Sequence, residues 1–277
     1  MTHTLIDDPS DAPARAAPWV PPPVDFGVVA GDYARHRQGY PHTLFDRLAA
    51  LGVGRAGQRI VDLGTGTGAV ARALAARGAR VTGVDPSPAL LEKAAELAAR
   101  DGLDVTWCEA TAETTGLGTG QFDAVLVGSA WHWFDRPRAA AEARRLLRSG
   151  GRMAIVHLDW VALAGSVVAV TLDLVARHRA APPPVAPDIG PNGVYPHWPA
   201  DLSNAGFYAL ELFGFDLVQR YPHAGWRGRM RASALVSTMP PAAKAAFEAD
   251  LIRALAMGFP DPTAVPHRVF AVVARAP

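Results

Sequence analysis

The sequence predicts an α/β protein built on a doubly wound, mostly parallel sheet, and three observations carry that expectation. Short apolar runs alternate with alanine- and leucine-rich stretches of helical period from residue 59 to residue 157. The runs are continuous rather than alternating in polarity, as strands covered on both faces require. A chain of 277 residues, 49% hydrophobic and 19% charged, suits one full core with an elaboration.

Residues 1–23 hold six prolines and no apolar periodicity, which predicts a disordered tail. The next stretch is polar and aromatic, with Tyr33, Arg35, His36, Arg37 and Tyr40 close together. Pro41 then opens a helix to about Leu51 on Leu44, Phe45, Leu48 and Leu51. Ile60 to Leu63 reads as a strand that meets an acid, Asp62, and breaks into Gly64-Thr65-Gly66-Thr67-Gly68 before a helix over 69–77. Ala79 to Asp85 is a second strand ending on an acid, followed by a helix from Pro88 to Arg100. Val105 to Cys108 and Phe122 to Val127 are the next strands. Asp135-Arg136-Pro137 starts a helix with an acid at its cap and proline in its first turn, and Met153 to His157 is the fifth strand.

Past His157 the pattern changes. Val161 to Arg179 reads as helix, and Ala181 to Pro199 is a proline-rich connection of the kind that forms lids. Phe213 to Tyr221 and Arg268 to Ala274 read as strands with a helix from Pro241 to about Met257 between them. The expected division is a tail over 1–23 and one domain over 24–277. Within it 24–52 is an N-terminal helical cover, 53–157 the core, 158–207 a lid insertion and 208–277 the last strands and helix.

Charge and cysteine usage narrow the partners. A net charge of +1 gives no polyanion-binding surface, so nucleic acid is not an expected partner. The single Cys108 excludes an intramolecular disulfide and fits a reducing compartment. No stretch approaches the roughly 20 apolar residues of a bilayer span, so no membrane association and a cytoplasmic location are expected. No His-Glu-x-x-His pattern suggests a metal. Oligomeric state is not legible in the sequence.

Two ligands compete for the glycine turn. A dinucleotide would set its pyrophosphate there, where Asp62 repels it. S-adenosylmethionine presents a sulfonium and an ammonium instead, which an acid organises, while Asp85 falls where a carboxylate accepts ribose hydroxyls. Asp62 therefore favours the adenosyl cofactor. The bland alternatives are a turn cap at Asp62 and a helix cap at Asp85.

Val61 to Gly68, Val84 to Ser87, Glu109 to Glu113 and Phe122 to Asp135 resemble the successive cofactor motifs of the class I S-adenosylmethionine-dependent methyltransferases. The segments Trp131-His132-Trp133-Phe134-Asp135 and Tyr33 to Pro41 are similar to its small-molecule branch, methyltransferase type 11. The resemblance implies a Rossmann-like, seven-stranded sheet whose last strand lies antiparallel beside the fifth. It implies that Gly64, Thr65, Gly66 and Gly68 wrap the methionine end, that Asp85 holds the ribose and that Pro86 or Ser87 lies along the adenine. Thr111, where the family often has an acid, and Ala112 fall at the adenine amino group. Ser129, Ala130 or Trp131 lines the methionine, and Tyr33 and Arg37 close over its carboxylate.

The function expected is methyl transfer from S-adenosylmethionine to oxygen, nitrogen or carbon of a small organic acceptor, possibly a specialised metabolite. The alternative is a related fold that binds the cofactor for a non-methylating step such as cyclisation, or senses it; methylation of nucleic acid or protein fits less well. His132 is the first candidate general base, beside a purely structural reading, and His157 and Asp159 leave the fifth strand at the same edge. Tyr195, His197 and Trp198 are lid candidates. Trp226 with Arg227, Arg229 and Arg231 reads either as a clamp for an acidic substrate or as a solvated strand or loop.

Overall fold

The structure, a computed structural model, describes residues 39–180 and 193–277. The expectations for the tail and for Tyr33 and Arg37 therefore lie outside the described residues, as does 181–192 of the insertion.

The described elements are α1 (His42–Ala50), β1 (Arg59–Leu63), α2 (Ala69–Ala75), β2 (Arg80–Asp85), α3 (Pro88–Arg100), β3 (Val105–Glu109) and β4 (Phe122–Gly128). A 3-10 turn (Trp131–Trp133), α4 (Arg136–Leu146), β5 (Leu147–Trp160), α5 (Val167–His178) and α6 (Trp198–Asn204) follow. The chain closes with β6 (Tyr208–Tyr221), α7 (His223–Arg231), α8 (Ala234–Ser237), α9 (Pro241–Gly258) and β7 (Thr263–Arg275). One seven-stranded sheet has the order β3-β2-β1-β4-β5-β7-β6. The pairs from β3 to β5 are parallel, and β7 is antiparallel to both β5 and β6. The antiparallel last strand beside the fifth is as expected.

Period-two alternation divides the central strands between two cores. Val61, Leu63, Val125, Val127 and Ile155 pack under α4 and α6. Ile60, Leu126, Ala154 and Val156 pack on the other face against Leu44, Phe45 and Leu48 of α1 and Val70 and Leu74 of α2. A third cluster sits under α5, α7 and α9 around Trp226, Met230, Phe247 and Leu251. Ser87 caps α3 through Leu90 N at 3.4 Å, and Asp135 caps α4 through Arg138 N at 3.3 Å, each with proline in the first turn.

Three local readings are corrected. Residues 223–231, read as strand or loop, form α7, because Trp226 and Met230 at i and i+4 bury one face and Trp226 Nε1 donates to Thr171 Oγ1 at 3.0 Å. The helix read from Val161 begins only at Val167, where Ser166 accepts from Ala169 N at 3.2 Å. The fifth strand runs from Leu147, not Met153, and extends to Trp160.

Glu142 ties α4 to the loop after β3. Its Oε1 accepts from Thr115 N at 3.0 Å, Thr115 Oγ1 at 2.5 Å and Arg145 Nη2 at 2.7 Å. Arg145 and the Thr115 donors hold its carboxyl down at about 2 against an ordinary 4.5. A depressed acid stabilises above its unfolded value and stops doing so as pH falls through the folded one. Glu142→Ala should thus cost about 2 to 3 kcal/mol at pH 7, discounted for the half-exposed Arg145, and much less at pH 2; urea unfolding at both pH values checks it.

Candidate active site

The glycine turn leaves the carboxyl end of β1 and is cross-braced to β2. Thr65 N donates to Val84 O at 2.9 Å, and Gly66 N donates to Asp85 Oδ2 at 2.9 Å. Asp85 takes a second bond from Ser87 N at 3.0 Å, so each oxygen accepts one backbone N–H and keeps a lone pair. Burial raises the Asp85 carboxyl, and the Ser87 and Gly66 amides oppose that rise. Ser87, not Asp85, caps the helix that follows, whereas Asp62 does tie down the turn through Thr65.

Asp62 is 1% exposed. Its Oδ2 accepts from Thr65 Oγ1 at 2.6 Å, and its Oδ1 is buried without a hydrogen-bond partner. Burial pushes the carboxyl up to about 7, against the pull of the Thr65 hydroxyl and, more weakly, of the Ala71 backbone N–H, which does not close a hydrogen bond to Oδ1. The turn beside it is open at one point. A Cβ at Gly66 (φ +55°) would meet nothing within 4 Å, whereas at Gly64 it would stand 2.7 Å from Ala130 Cβ and at Gly68 2.7 Å from Trp107.

Tyr40, Asp62, Gly64, Thr65 and Gly128 line one cleft at this edge of the sheet. Tyr40 Oη lies 2.7 Å from Ser129 Oγ, and Ser129 holds φ +54°, a conformation rare outside glycine. Tyr40 belongs to the aromatic run before Pro41 but carried no assigned role in the sequence; only the fold brings it over β4. Ala130 is buried, and Trp131 is fully buried with its indole N–H on Asp201 Oδ2 at 3.0 Å. Pro86 and Thr111 are exposed at the ends of β2 and β3, while Ala112 is buried in the first core.

A second group forms past the ends of β4 and β5. The His132 and His157 rings are 5.3 Å apart. Tyr195 stacks on His157 at 4.8 Å and on Trp198 at 4.0 Å, and its hydroxyl donates to Asp159 Oδ2 at 3.0 Å. Tyr195 and Trp198 are 1% exposed, so they are packed at the sheet edge, while His197 is exposed. Of the three arginines of α7, Arg227 and Arg231 bind Glu248 on α9, and Arg229 lies over the Trp160 ring at 4.7 Å. They do not form a single clamp. His267, which sequence reasoning passed over, is buried between Val265 and Val269 on β7; its alternation with those valines was the available signal. Burial holds it down at about 4. Among the described residues no helix is long and apolar enough to cross a membrane, and no group of His, Cys, Asp and Glu is placed to hold a metal.

The strand order, the acid-flanked glycine turn and the cleft at the carboxyl ends of β1 and β4 define a Rossmann-like protein of the methyltransferase type. Residues 61–155 match the family model described as "Methyltransferase domain". An uncharacterised methyltransferase of Mycobacterium tuberculosis is 37% identical over 168 residues, 58% of this chain and 65% of that protein. The demethylmenaquinone methyltransferase of Thermus thermophilus is 38% identical over 114 residues, 40% of this chain and 52% of that protein. The matches thus span less than two thirds of these relatives. A protein from Anaeromyxobacter dehalogenans described as a type II methyltransferase superposes with a TM-score of 0.59 at 25% identity, over 87% of this chain and 97% of that one.

Proposed function

We propose that the protein transfers a methyl group from S-adenosylmethionine to oxygen, nitrogen or carbon of a small organic acceptor, a specialised metabolite, in the cytoplasm. The observation that carries this reading is Asp62: a buried carboxyl with one oxygen outside any hydrogen bond, beside a glycine turn that is open at Gly66. A phosphate is repelled there and an ammonium is attracted, so the residues present fit the adenosyl cofactor.

On this reading Asp62 meets the cofactor's ammonium, Gly64 to Gly68 follow its methionine chain and Asp85 offers its remaining lone pairs to the ribose. Pro86, Ser87, Thr111 and Ala112 border the adenine, Ser129 and Ala130 border the methionine, and Trp131 braces them from the core. Tyr33 and Arg37, which lie outside the described residues, are assigned to the cofactor's carboxylate on the family resemblance alone.

When bound, the cofactor supplies a methyl group activated by its sulfonium. The protein's work is then alignment and exclusion of water, which can contribute about 7 to 11 kcal/mol in favourable cases. His132, beside His157 at the edge where acceptor and cofactor would meet, takes the acceptor's proton. His132→Ala should lower transfer by about two to four powers of ten with an acceptor that loses a proton, and leave an acceptor without one little affected.

Titration calorimetry with S-adenosylmethionine and S-adenosylhomocysteine, followed by transfer of radiolabelled methyl to a panel of small acceptors, tests the proposal. Silence of both ligands would sink it. Binding without transfer to any acceptor would favour the non-methylating alternative.

A further inference from the structure

We propose that Tyr195, at the point where the insertion rejoins the fold, is a positioning residue for the histidine pair: its ring fixes His157 and its hydroxyl occupies Asp159. This rests on the reading that His132 and His157 face the acceptor.

β5 pairs with β4 as far as Val156, opposite Gly128, so His157 to Trp160 overhang the sheet with a strand partner on the β7 side only. His157 and Asp159 are two residues apart on this overhang and project from the same face. One side chain engages both. The Tyr195 ring lies nearly parallel to His157, at 26° and 4.8 Å, and its hydroxyl donates to Asp159 Oδ2 at 3.0 Å. Trp198 backs it at 15° and 4.0 Å, and Phe270 closes on both rings at 5.8 and 5.9 Å. Asp201, one helical turn after Trp198, takes the Trp131 indole N–H, fastening the same segment to the turn that carries His132.

The chemistry of this contact is directional. Burial and the neighbouring Asp159 push the Tyr195 phenol far above its ordinary range, so the proton stays on tyrosine and the carboxylate accepts it. Asp159 is thereby held by a neutral donor rather than by the imidazole two residues before it. Among the described residues, the titratable groups against His157 and Asp159 include His132 after β4 and Tyr195 after the insertion, with Tyr40 acting on Tyr195 from beyond, and His267 and Arg268 on β7, which lie against Asp159; Trp198 and Phe270 carry no charge. Removing the hydroxyl releases the field of Asp159 onto the imidazole, which favours its protonated form.

The experiment is histidine ring NMR on the full chain with uniformly labelled histidine, for wild type, Tyr195→Phe, Tyr195→Leu, Asp159→Asn and the Tyr195→Phe/Asp159→Asn pair. Tyr195→Phe should keep the ring-current-shifted His157 signals and raise their titration midpoint by about 0.5 to 1 pH unit. The double variant should titrate as Asp159→Asn alone, because the hydroxyl acts only through that carboxylate. Tyr195→Leu should lose the ring-current shift; if it fails to fold, the phenylalanine variant decides by itself. An unchanged midpoint in Tyr195→Phe, or an equal rise with and without Asp159, overturns the proposal. Calorimetry with S-adenosylhomocysteine on the same samples keeps the two readings apart: silence in wild type removes the methyltransferase reading, and the NMR comparison still decides Tyr195.

Discussion

Asp62→Asn is expected to weaken binding of S-adenosylmethionine by on the order of 30-fold or more while leaving the ligand-free protein as stable as wild type, or more so. The two effects have opposite signs for one reason. Asp62 is buried with Oδ1 unpartnered, and burial has pushed its carboxyl from 3.8 up to about 7. In that window the folded state holds a proton that the unfolded chain has lost, so stability falls as pH rises from about 4 to about 7. A shift of that size corresponds to about 4 kcal/mol at pH values above the window. Asparagine fills the same space without a charge and removes this penalty. A ligand ammonium would recover it, and losing one partner of a buried charge pair costs about 2 to 5 kcal/mol of binding. Affinity in wild type should accordingly rise with pH up to about 7 and flatten beyond, and the variant should show no such slope. Calorimetry from pH 5.5 to 8.5 and thermal melts over the same range measure both.

Gly66→Ala should weaken cofactor binding by on the order of 100-fold at a small cost in stability, whereas Gly64→Ala should cost more stability. Both glycines have positive φ, which costs an alanine about 1 to 2 kcal/mol. At Gly66 the added methyl projects into open space, so the fold loses only that strain while the ligand's path along the backbone is blocked. A displacement of about 1 Å at such a site can cost on the order of 100-fold. At Gly64 the methyl would stand 2.7 Å from Ala130 Cβ and 2.9 Å from Phe134 Cζ, adding an overpacking cost of about 1 to 3 kcal/mol. Urea midpoints separate the two variants from each other, and calorimetry shows whether the loss of binding at Gly66 exceeds its loss of stability.

Legibility followed the range of the interaction. The capped helices after Ser87 and Asp135 were readable because each cap is closed within three residues. The segment from 223 to 231 reads as strand or loop because its arginines stand at alternate positions, 227, 229 and 231, while its reason for being helical, Trp226 on Thr171, lies 55 residues away. The histidines were visible as candidates. Their 5.3 Å approach was not, since it depends on the register of β4 against β5.

The sequence by itself determined the alternation of strand and helix, the acid-flanked glycine turn and the kind of cofactor that turn favours, because these depend on side-chain period, backbone freedom and local charge. The tertiary structure decided what those residues do for one another. It left Asp62 buried with an open oxygen, set the Tyr40 hydroxyl on Ser129 and placed Tyr195 between His157 and Asp159. Each of these joins groups 36 residues or more apart, or depends on burial that only the assembled sheet creates.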